Sequence, residues 1–411
     1  MRGKMKKIRV GAGSAFWGDM LEPAVELVEK GEIDYIGFDH LAELTLSILQ
    51  RVRAKDPTKG YIPDIIPWMK AILPPAWEKG CKVITNAGGA NPEQAAEEVI
   101  KIARDLGMKG MKIGVVTGID ALKQGAHVVI AGRISDNALY VAPVMYEFDW
   151  DFTEPFVDKI ASAITTGHII ECAEGCTGGM SNIWQAVPEP WKIGFPIAEF
   201  YENGETIISK APDTGGLICE WTIKEHLVYE VLDPRNYIMP DGVADFTSVK
   251  LKEMGKNRVK VSQAKGKSRP DQLKVCIGFK DGFIGEAQIF FPWPDALEKA
   301  KRAANIVKER FDMINLEAED VRFDFLGVNA ILGETVPIKD LDYNEVGLRV
   351  AARAQSFEEA NKVRREITHL WTISSVGAHM GVPSKPRPVI SLWPTLIPRD
   401  EVTPEFVMKE V

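Results

Sequence analysis

Residues 82–107 read KVITNAGGANPEQAAEEVIKIARDLG, a sequence that predicts a strand, a glycine loop and a helix in direct succession. Residues 82–85 form a short apolar run suited to a buried strand, and Pro92 suits the first turn of a helix. Gly107 then marks the predicted end of this helix. The apolar residues of the helix share one face: Ala95, Val99, Ile102, Ala103 and Leu106.

The same succession recurs through the first 150 residues. Continuous apolar strands that alternate with amphipathic helices are typical of a parallel sheet covered by helices on both faces, with right-handed crossovers. We therefore predict an α/β fold, with a parallel domain and glycine-rich strand-end loops over residues 1–155. The predicted strands are residues 7–10, 34–38, 82–85, 112–116 and 127–131.

Polar residues follow each of these strands. In parallel sheets of this kind, ligands bind outside the carboxyl ends of the strands, where the following loops converge. We therefore expect one crevice lined by residues from several loops: Asp39, Glu43, Thr85, Asn86, Thr117, Arg133, Ser135 and Asp136.

The remainder of the chain has a different pattern. Short apolar segments separated by turns predict antiparallel strands at residues 248–252, 258–261, 273–280 and 283–291. We predict a second, α+β domain over residues 156–411 that completes the site.

The segment ECAEGCTGG at 171–179 allows three interpretations. A metal site on Cys172 and Cys176 lacks the second ligand pair that zinc normally requires. A nucleophilic Cys172 would need a lowered pKa, for which His168 is the nearby candidate. The favoured interpretation is a loop with Glu171 as an acid or base, whose amide donors come from Thr177, Gly178 and Gly179.

The glycine loops predict anion binding without identifying the ligand. Main-chain N–H groups of NAGG at 86–89, TGG at 177–179 and DTGG at 213–216 could hold a carboxylate or phosphate, or the glycines could simply supply positive φ. A dinucleotide fingerprint counted from Gly11 places Phe16 where glycine is needed, which argues against NAD as a cofactor. The candidate ligand-binding residues of the first and third loops are Asn86, Gly88, Gly89, Asp213 and Thr214.

Arg133 has two interpretations of equal weight. Its guanidinium could grip a carboxylate or phosphate through two hydrogen bonds, or it could form a structural salt bridge to Asp136 or Asp39.

Composition narrows the classes of partner. A chain of 411 residues is expected to form two domains, and a net charge of -8 argues against nucleic-acid or anionic-membrane partners. No apolar run approaches the length of a membrane span and no signal peptide is recognisable, so we expect a cytoplasmic protein. Five cysteines without a paired framework predict reduced thiols, and size alone favours a homo-oligomer.

Motifs in order along the chain resemble the acyclic terpene utilisation protein A family, from about Lys7 to Pro398. They include IRVGAGSAFWGD (8–19), VITNAGGANPEQAA (83–96), VVIAGRISDNAL (128–139), ECAEGCTGG (171–179) and YEVLDPRNYIMPDGVADF (229–246). The resemblance implies a role in degrading acyclic terpenes or related branched acids through CoA thioesters. It also implies a small ferredoxin-like companion, which we expect as a separate subunit. Cys176 departs from the family pattern, which weakens a two-cysteine metal site.

Two functions remain open. The first is a lyase or hydratase acting on a branched hydroxy-acid or its CoA thioester, with Arg133 holding the substrate and the glycine-loop amides stabilising the anion. A divalent cation on the carboxylates is compatible with this chemistry. The second is a non-catalytic subunit that binds an acyl-CoA or carboxylate and works with a small partner. The predicted catalytic residues are Asp39, Glu43, Asp136 and Glu171.

Overall fold

A computed structural model describes residues 5–115, 118–339, 341–382 and 384–411. The chain divides into two compact units. The first contains the residues up to Cys276 together with Pro394–Val411, and the second is Ile277–Trp393.

The helices and strands alternate through the first half of the chain, whereas strands predominate later. The described strands are β1 (Lys7–Ser14), β2 (Tyr35–Phe38), β3 (Lys82–Gly89), β4 (Lys112–Val115), β5 (Val128–Gly132), β6 (Pro196–Tyr201), β7 (Thr206–Lys210), β8 (Tyr237–Met239), β9 (Gly242–Asp245), β10 (Lys250–Gly255), β11 (Arg258–Ser262), β12 (Lys265–Lys267), β13 (Gln272–Pro292), β14 (Asp320–Leu326), β15 (Glu345–Ala354), β16 (His379–Met380), β17 (Arg387–Pro398) and β18 (Val407–Glu410). The described α-helices are α1 (Leu21–Lys30), α2 (Glu43–Lys55), α3 (Ile65–Lys79), α4 (Pro92–Asp105), α5 (Gly118–Lys123), α6 (Ala138–Phe148), α7 (Val157–Glu171), α8 (Glu220–Leu227), α9 (Ala296–Met313) and α10 (Phe357–Ile373).

The first unit is built on a ten-stranded mixed sheet with the order β10-β11-β7-β6-β1-β2-β3-β5-β4-β18. The five strands predicted from the sequence form its parallel centre, in which β1 pairs with β2, β2 with β3, β3 with β5 and β5 with β4. The α/β class is therefore confirmed. The carboxyl ends of these strands meet at one edge, as the sequence predicted.

The predicted boundary after residue 155 falls inside the first unit. The antiparallel strand β6 hydrogen-bonds along β1 from Lys7 to Gly11, and β7 and β11 continue the same sheet. Because this pairing shares one hydrophobic core with the parallel strands, the compact unit extends to Cys276. Of the four antiparallel strands predicted from the sequence, the first two are β10 and β11 of this sheet, and the last two form one strand, β13, which continues into the second unit.

Helix α4 can be compared with the apolar face that the sequence predicts for it. It begins at Pro92, as predicted, and buries Ala95, Val99 and Ala103 against the sheet. The prediction for Leu106 was wrong. The helix ends at Asp105, so Leu106 lies at its C-cap rather than on the helical face, and it is exposed.

The second unit is built on a five-stranded sheet in which β14, β15, β13 and β16 pair antiparallel in that order and β17 also pairs with β13. Strand β15 lies between β13 and β14, and apolar residues of α9 and α10 pack with it in a separate core. Gly285 in β13 lies close to the backbone of α10. A Cβ atom at Gly285 would stand 1.8 Å from the carbonyl oxygen of Ala360.

We expect Gly285→Ala to destabilise the second unit by at least about 2 kcal/mol, because backbone atoms cannot yield to the added methyl group as a flexible side chain would. Denaturant unfolding would measure the loss. Arg302→Ala is the matched control, since Arg302 is exposed on α9. Equal stability of the two variants would contradict close packing of β13 against α10.

Candidate functional site

The carboxyl group of Asp39 lies at the centre of the strand-end residues. Asp39 directly follows β2 and is buried. Burial raises its pKa well above the ordinary value, and the charges of Asp136 and Glu171 raise it further, against smaller opposing effects of Asn86 and Arg133. Asp39 therefore favours its neutral, protonated form.

Asn86 fixes the position of Asp39. Its Nδ2 donates to Asp39 Oδ1 at 2.7 Å, and its Oδ1 accepts from the backbone N–H of His40 at 2.8 Å. Ser14 at the end of β1 donates from Oγ to the Asp39 carbonyl oxygen at 2.9 Å. Three neighbouring strands thus hold one acidic side chain, and the predicted convergence of Asp39 and Asn86 is present in the structure.

Glu171 forms a second buried acidic position, paired with His168. The two residues lie three apart on α7, which places them on one helical face, and Glu171 Oε1 is 2.9 Å from His168 Nδ1. The hydroxyl of Tyr237 is 3.2 Å from the same nitrogen.

The pKa shifts of this pair favour a proton on Glu171 over one on His168. Burial lowers the pKa of His168 to about 4. Burial, together with the charges of Asp136 and Glu230, raises the pKa of Glu171 well above its ordinary value. Both shifts favour a neutral carboxyl group that donates to a neutral imidazole.

Buried polar atoms near the two acids lack hydrogen bonds. Within the described ranges, Tyr140 Oη, both amide atoms of Asn137 and Glu171 Oε2 have no hydrogen-bond partner. Tyr140 lies close enough to Asp39 and Glu171 for their charges to raise its pKa, although burial is the larger cause. Since native proteins leave few such groups unsatisfied, these atoms are available to polar groups of a ligand or water.

Arg133 is the cation of the cluster. Its Nη1 donates to the carbonyl oxygens of Leu41 at 2.9 Å and Ile134 at 2.8 Å, and it pairs with the Asp136 carboxylate. Nη2 stands 3.7 Å from Glu43 Oε1, beyond hydrogen-bond distance. Burial alone would lower the pKa of Arg133, but Asp136 and Glu43 raise it. The salt-bridge interpretation therefore applies to one edge of the guanidinium, while Nη2 retains donor capacity.

Glu43 is tied to a second cation. Lys274 Nζ lies 2.9 Å from Glu43 Oε1, and this hydrogen bond holds the pKa of Glu43 below its ordinary value even though burial would raise it. Glu43 is therefore ionised and better placed to orient Arg133 than to transfer protons.

The surroundings of Cys172 and Cys176 in the segment 171–179 do not favour a nucleophilic or metal-binding thiolate. Burial and the charge of Glu171 raise the pKa of Cys172, and burial raises that of Cys176, so both thiols remain protonated. All five cysteines are free. In the part of the chain that the structure describes, no group of three or more His, Cys, Asp or Glu side chains is arranged to hold a metal ion.

The amides of TGG are already engaged. The N–H groups of Thr177 and Gly179 donate to the Glu174 carbonyl oxygen at 3.1 and 2.8 Å, and Gly178 donates to Gly175 at 3.2 Å. These three amides would have to break local turns before they could bind an anion.

Gly88 and Gly89 allow β3 to pass close to its neighbours. A Cβ atom on Gly88 would lie 2.5 Å from the Ala131 carbonyl oxygen, and Gly89 has a φ of 56°. Close packing therefore accounts for both glycines.

The structure separates some predicted residues from this cluster. Asp213 and Thr214 line a depression of about 410 Å³ with Arg9 and Lys210, whereas a second, apolar cavity of about 180 Å³ surrounds Trp77. Neither cavity is lined by residues of the acidic cluster.

The other predicted residues have local roles. Ser135 remains beside Asp136, and Thr85 Oγ1 accepts from the N–H of Ala87 at 3.0 Å. Thr117 lies outside the described residues. The residues brought together are Asp39, Glu43, Asn86, Arg133, Asp136 and Glu171.

Sequence reasoning missed Asn137, Tyr140 and Tyr237 as polar groups of the site. Asn137 directly follows Asp136 at the end of a predicted strand, which is a usable signal. Tyr140 falls on the apolar face of α6, where periodicity predicts core packing.

Glu174 was also missed. Burial and the nearby charge of Asp19 raise its pKa to about 7, and burial raises the pKa of Asp19 as well. Glu174 Oε2 is buried without a hydrogen-bond partner among the described residues. Two acids thus meet where the loop after β1 approaches the 171–179 segment.

These features define an α/β protein with a buried acidic cluster at the carboxyl ends of a parallel sheet. The chain belongs to the AtuA family of acyclic terpene utilisation proteins, because the model of this family matches residues 8–120 and 119–408. The family resemblance is therefore confirmed. No curated protein and no solved structure matches the chain significantly. Of the helices in the described ranges, none combines the length and apolar character that a membrane crossing requires.

We expect Glu174→Gln to change the pH dependence of stability. The raised pKa of Glu174 contributes stability that is fully present below the unfolded value near 4.5 and is lost as pH rises through about 7. The glutamine of the variant does not ionise, so its contribution to stability does not fall over this pH range. Between pH 5 and pH 8, the variant should therefore gain about 1–3 kcal/mol relative to the parent protein.

Urea unfolding at both pH values would measure this gain. Glu309→Gln provides the control, because Glu309 is exposed on α9. Parallel pH profiles for the parent and Glu174→Gln proteins would contradict a buried, near-neutral Glu174.

Proposed function

We propose that this chain is an enzyme of acyclic terpene utilisation that transfers protons on a branched hydroxy-acid or its CoA thioester, as a hydratase or lyase does. One observation carries the proposal. Two buried acids with raised pKa values, Asp39 and Glu171, lie near the hydroxyl group of Tyr140, and neither this hydroxyl group nor Glu171 Oε2 has a hydrogen-bond partner among the described residues. Perturbed acids grouped in this way are typical of proton-transfer sites.

Asp39 is suited to be the general acid. A carboxyl group that stays protonated near neutral pH can donate its proton to a departing hydroxyl group, which leaves as water. Asn86 Nδ2 and the N–H of Leu41, at 2.7 and 3.2 Å, both donate to Asp39 Oδ1. The same oxygen would accept negative charge after the proton has left, so these bonds support the ionised product.

Asp136 is the matching candidate base. Its side chain is 37% exposed, in contrast to the buried Asp39 and Glu171. In a dehydration, Asp136 would remove the proton next to the carbonyl group and the freed electron pair would form the carbon–carbon double bond. The hydroxyl group would leave with the proton from Asp39, so that one water is released and hydration is the reverse.

Arg133 and the Glu171–His168 pair would complete the site. Nη2 of Arg133 can donate to a substrate carboxylate or thioester oxygen, since it stands 3.7 Å from Glu43 and its other partners engage Nη1. After dehydration, the proton that Asp136 has taken up must return to Asp39, and the protonated Glu171 can relay it by giving its own proton to Asp39 and accepting the one on Asp136. His168 holds Glu171 in place at 2.9 Å.

A non-catalytic subunit is the second candidate. Asp39 and Glu171 are enclosed, and the TGG amides are bound to local carbonyl groups. Such a site could bind an acyl-CoA or carboxylate and present it to a small partner protein. The two candidates differ in whether substrate is turned over.

We expect Asp39→Asn and Glu171→Gln each to lower kcat by about 10²- to 10⁴-fold, the usual range for loss of an acid or base. Because both groups are neutral in the folded protein, amide replacements should leave the fold intact. Turnover of branched hydroxyacyl-CoA thioesters would be measured for the chain alone and with its companion subunit. Thermal unfolding would verify folding.

Asp105→Asn is the control, because Asp105 is exposed at the end of α4. Full activity in both active-site variants would overturn the roles of Asp39 and Glu171. A parent protein that binds the thioester tightly but is inert with and without the companion would favour the binding subunit.

A further inference from the structure

A cationic depression lies on the first unit, apart from the acidic cluster. It measures about 410 Å³ and is lined by residues of β1, β7 and the β10–β11 hairpin. Four of its lining side chains are cationic and one is acidic, whereas the whole chain carries a net charge of -8. The charged lining residues are Arg9, Lys210, Asp213, Lys256 and Arg258.

One buried carboxylate supports two of these cations. Glu199 in β6 lies 3.3 Å from Arg9 Nη1 and 3.0 Å from Arg258 Nη2, and it also pairs with Lys7. These partners hold the pKa of Glu199 below its ordinary value, although burial would raise it. The two arginines are therefore positioned by the sheet, and Arg9 Nε is buried with no hydrogen-bond partner in the described part of the chain.

The two lysines approach from different segments. Lys256 is at the turn between β10 and β11, next to Asn257, whose Oδ1 accepts from the N–H of Ile218 at 3.0 Å. This bond anchors the hairpin tip to the loop after β7. Lys210 at the end of β7 donates to Thr214 Oγ1 at 3.1 Å.

We propose that this depression binds a phosphate group. The lining has four cationic side chains and one carboxylate, and Glu199 behind it is shared among Arg9, Arg258 and Lys7, so the depression keeps a positive charge that suits a phosphate anion. Arginine forks and lysine ammonium groups are the usual phosphate donors. A volume of about 410 Å³ also falls in the range of small-molecule sites, roughly 300–1,000 Å³.

The electrostatics of Lys210 agree with an anion site. Burial lowers its pKa, and repulsion from Lys256 and Lys192 lowers it further, while Glu189 opposes them. A bound phosphate would relieve this repulsion and favour the charged lysine. Phosphate binding here is independent of proton transfer at the acidic cluster.

The test is thermal unfolding of the full chain in rising inorganic phosphate, with ionic strength held constant by sodium chloride. Because a ligand that binds only the folded state raises Tm, the parent protein should be stabilised by phosphate beyond the chloride reference. The double variant Lys210→Ala/Lys256→Ala should bind phosphate at least tenfold more weakly, about 1.4 kcal/mol. Lys256→Ala alone, at an exposed turn, should show a partial loss and guards against misfolding of the double variant.

Lys250→Ala/Lys252→Ala is the matched control, since both lysines are exposed on β10 and the charge change is the same. The control should keep the parent response within about twofold. Equal stabilisation of all the proteins, or none in the parent, would overturn the proposal.

A parallel titration with adenosine 3′,5′-bisphosphate identifies the source of the phosphate. Binding at least tenfold tighter than inorganic phosphate, and lost in Lys210→Ala/Lys256→Ala, would assign the site to a nucleotide-linked phosphate. Equal affinities, both lost in that variant, would assign it to free phosphate. Retention of bisphosphate binding in the double variant would place that ligand elsewhere and count against the depression.

Discussion

The buried carboxyl group of Asp39 is the constraint on which the rest of the site depends. Burying an isolated carboxylate in a protein interior costs free energy because the charge loses its hydration. A carboxyl group that keeps its proton avoids most of this cost. Arg133 relieves only part of this cost, because its Nη1 is committed to Asp136 and to two carbonyl oxygens and its charge lowers the pKa of Asp39 by less than burial raises it. Asn86 orients the acid through a neutral hydrogen bond, which favours the ionised form by less than burial disfavours it.

Strand β1 contributes a residue to the cationic depression and another to the support of the acidic cluster. Arg9 in β1 belongs to the cationic depression, and Ser14 at the end of β1 holds the backbone of Asp39. Five residues of extended chain separate them by about 17 Å. Because β1 pairs on both sides with β2 and β6, this separation is fixed by backbone hydrogen bonds rather than by flexible loops. An overall charge of -8 therefore conceals two local environments that favour different chemical groups.

The sequence was sufficient for the parallel centre of the fold. Continuous apolar runs identify β1 to β5, and the rule for strand ends brings Asp39, Asn86 and Arg133 together. It was insufficient for β6 and β7, because antiparallel pairing with β1 joins positions nearly 200 residues apart and leaves no local signal. For the same reason the sequence could not separate Asp213 and Thr214, which were predicted to bind the ligand, from the acidic cluster. Their glycine loop follows β7, whose place in the sheet depends on that pairing.

The position of each proton determines how the acidic cluster responds to a ligand. In many His–carboxylate pairs the carboxylate is ionised, but burial here shifts the pKa of Glu171 up and that of His168 down, so the proton stays on Glu171. An anionic substrate at Arg133 would add another negative charge and disfavour ionisation of Asp39 and Glu171 further. Substrate binding would thus strengthen the protonated state that a general acid needs, whereas loss of the anionic product would weaken it. Arg133 therefore contributes to the proposed reaction in two ways, since it holds the anion and places that anion where it keeps the acids protonated.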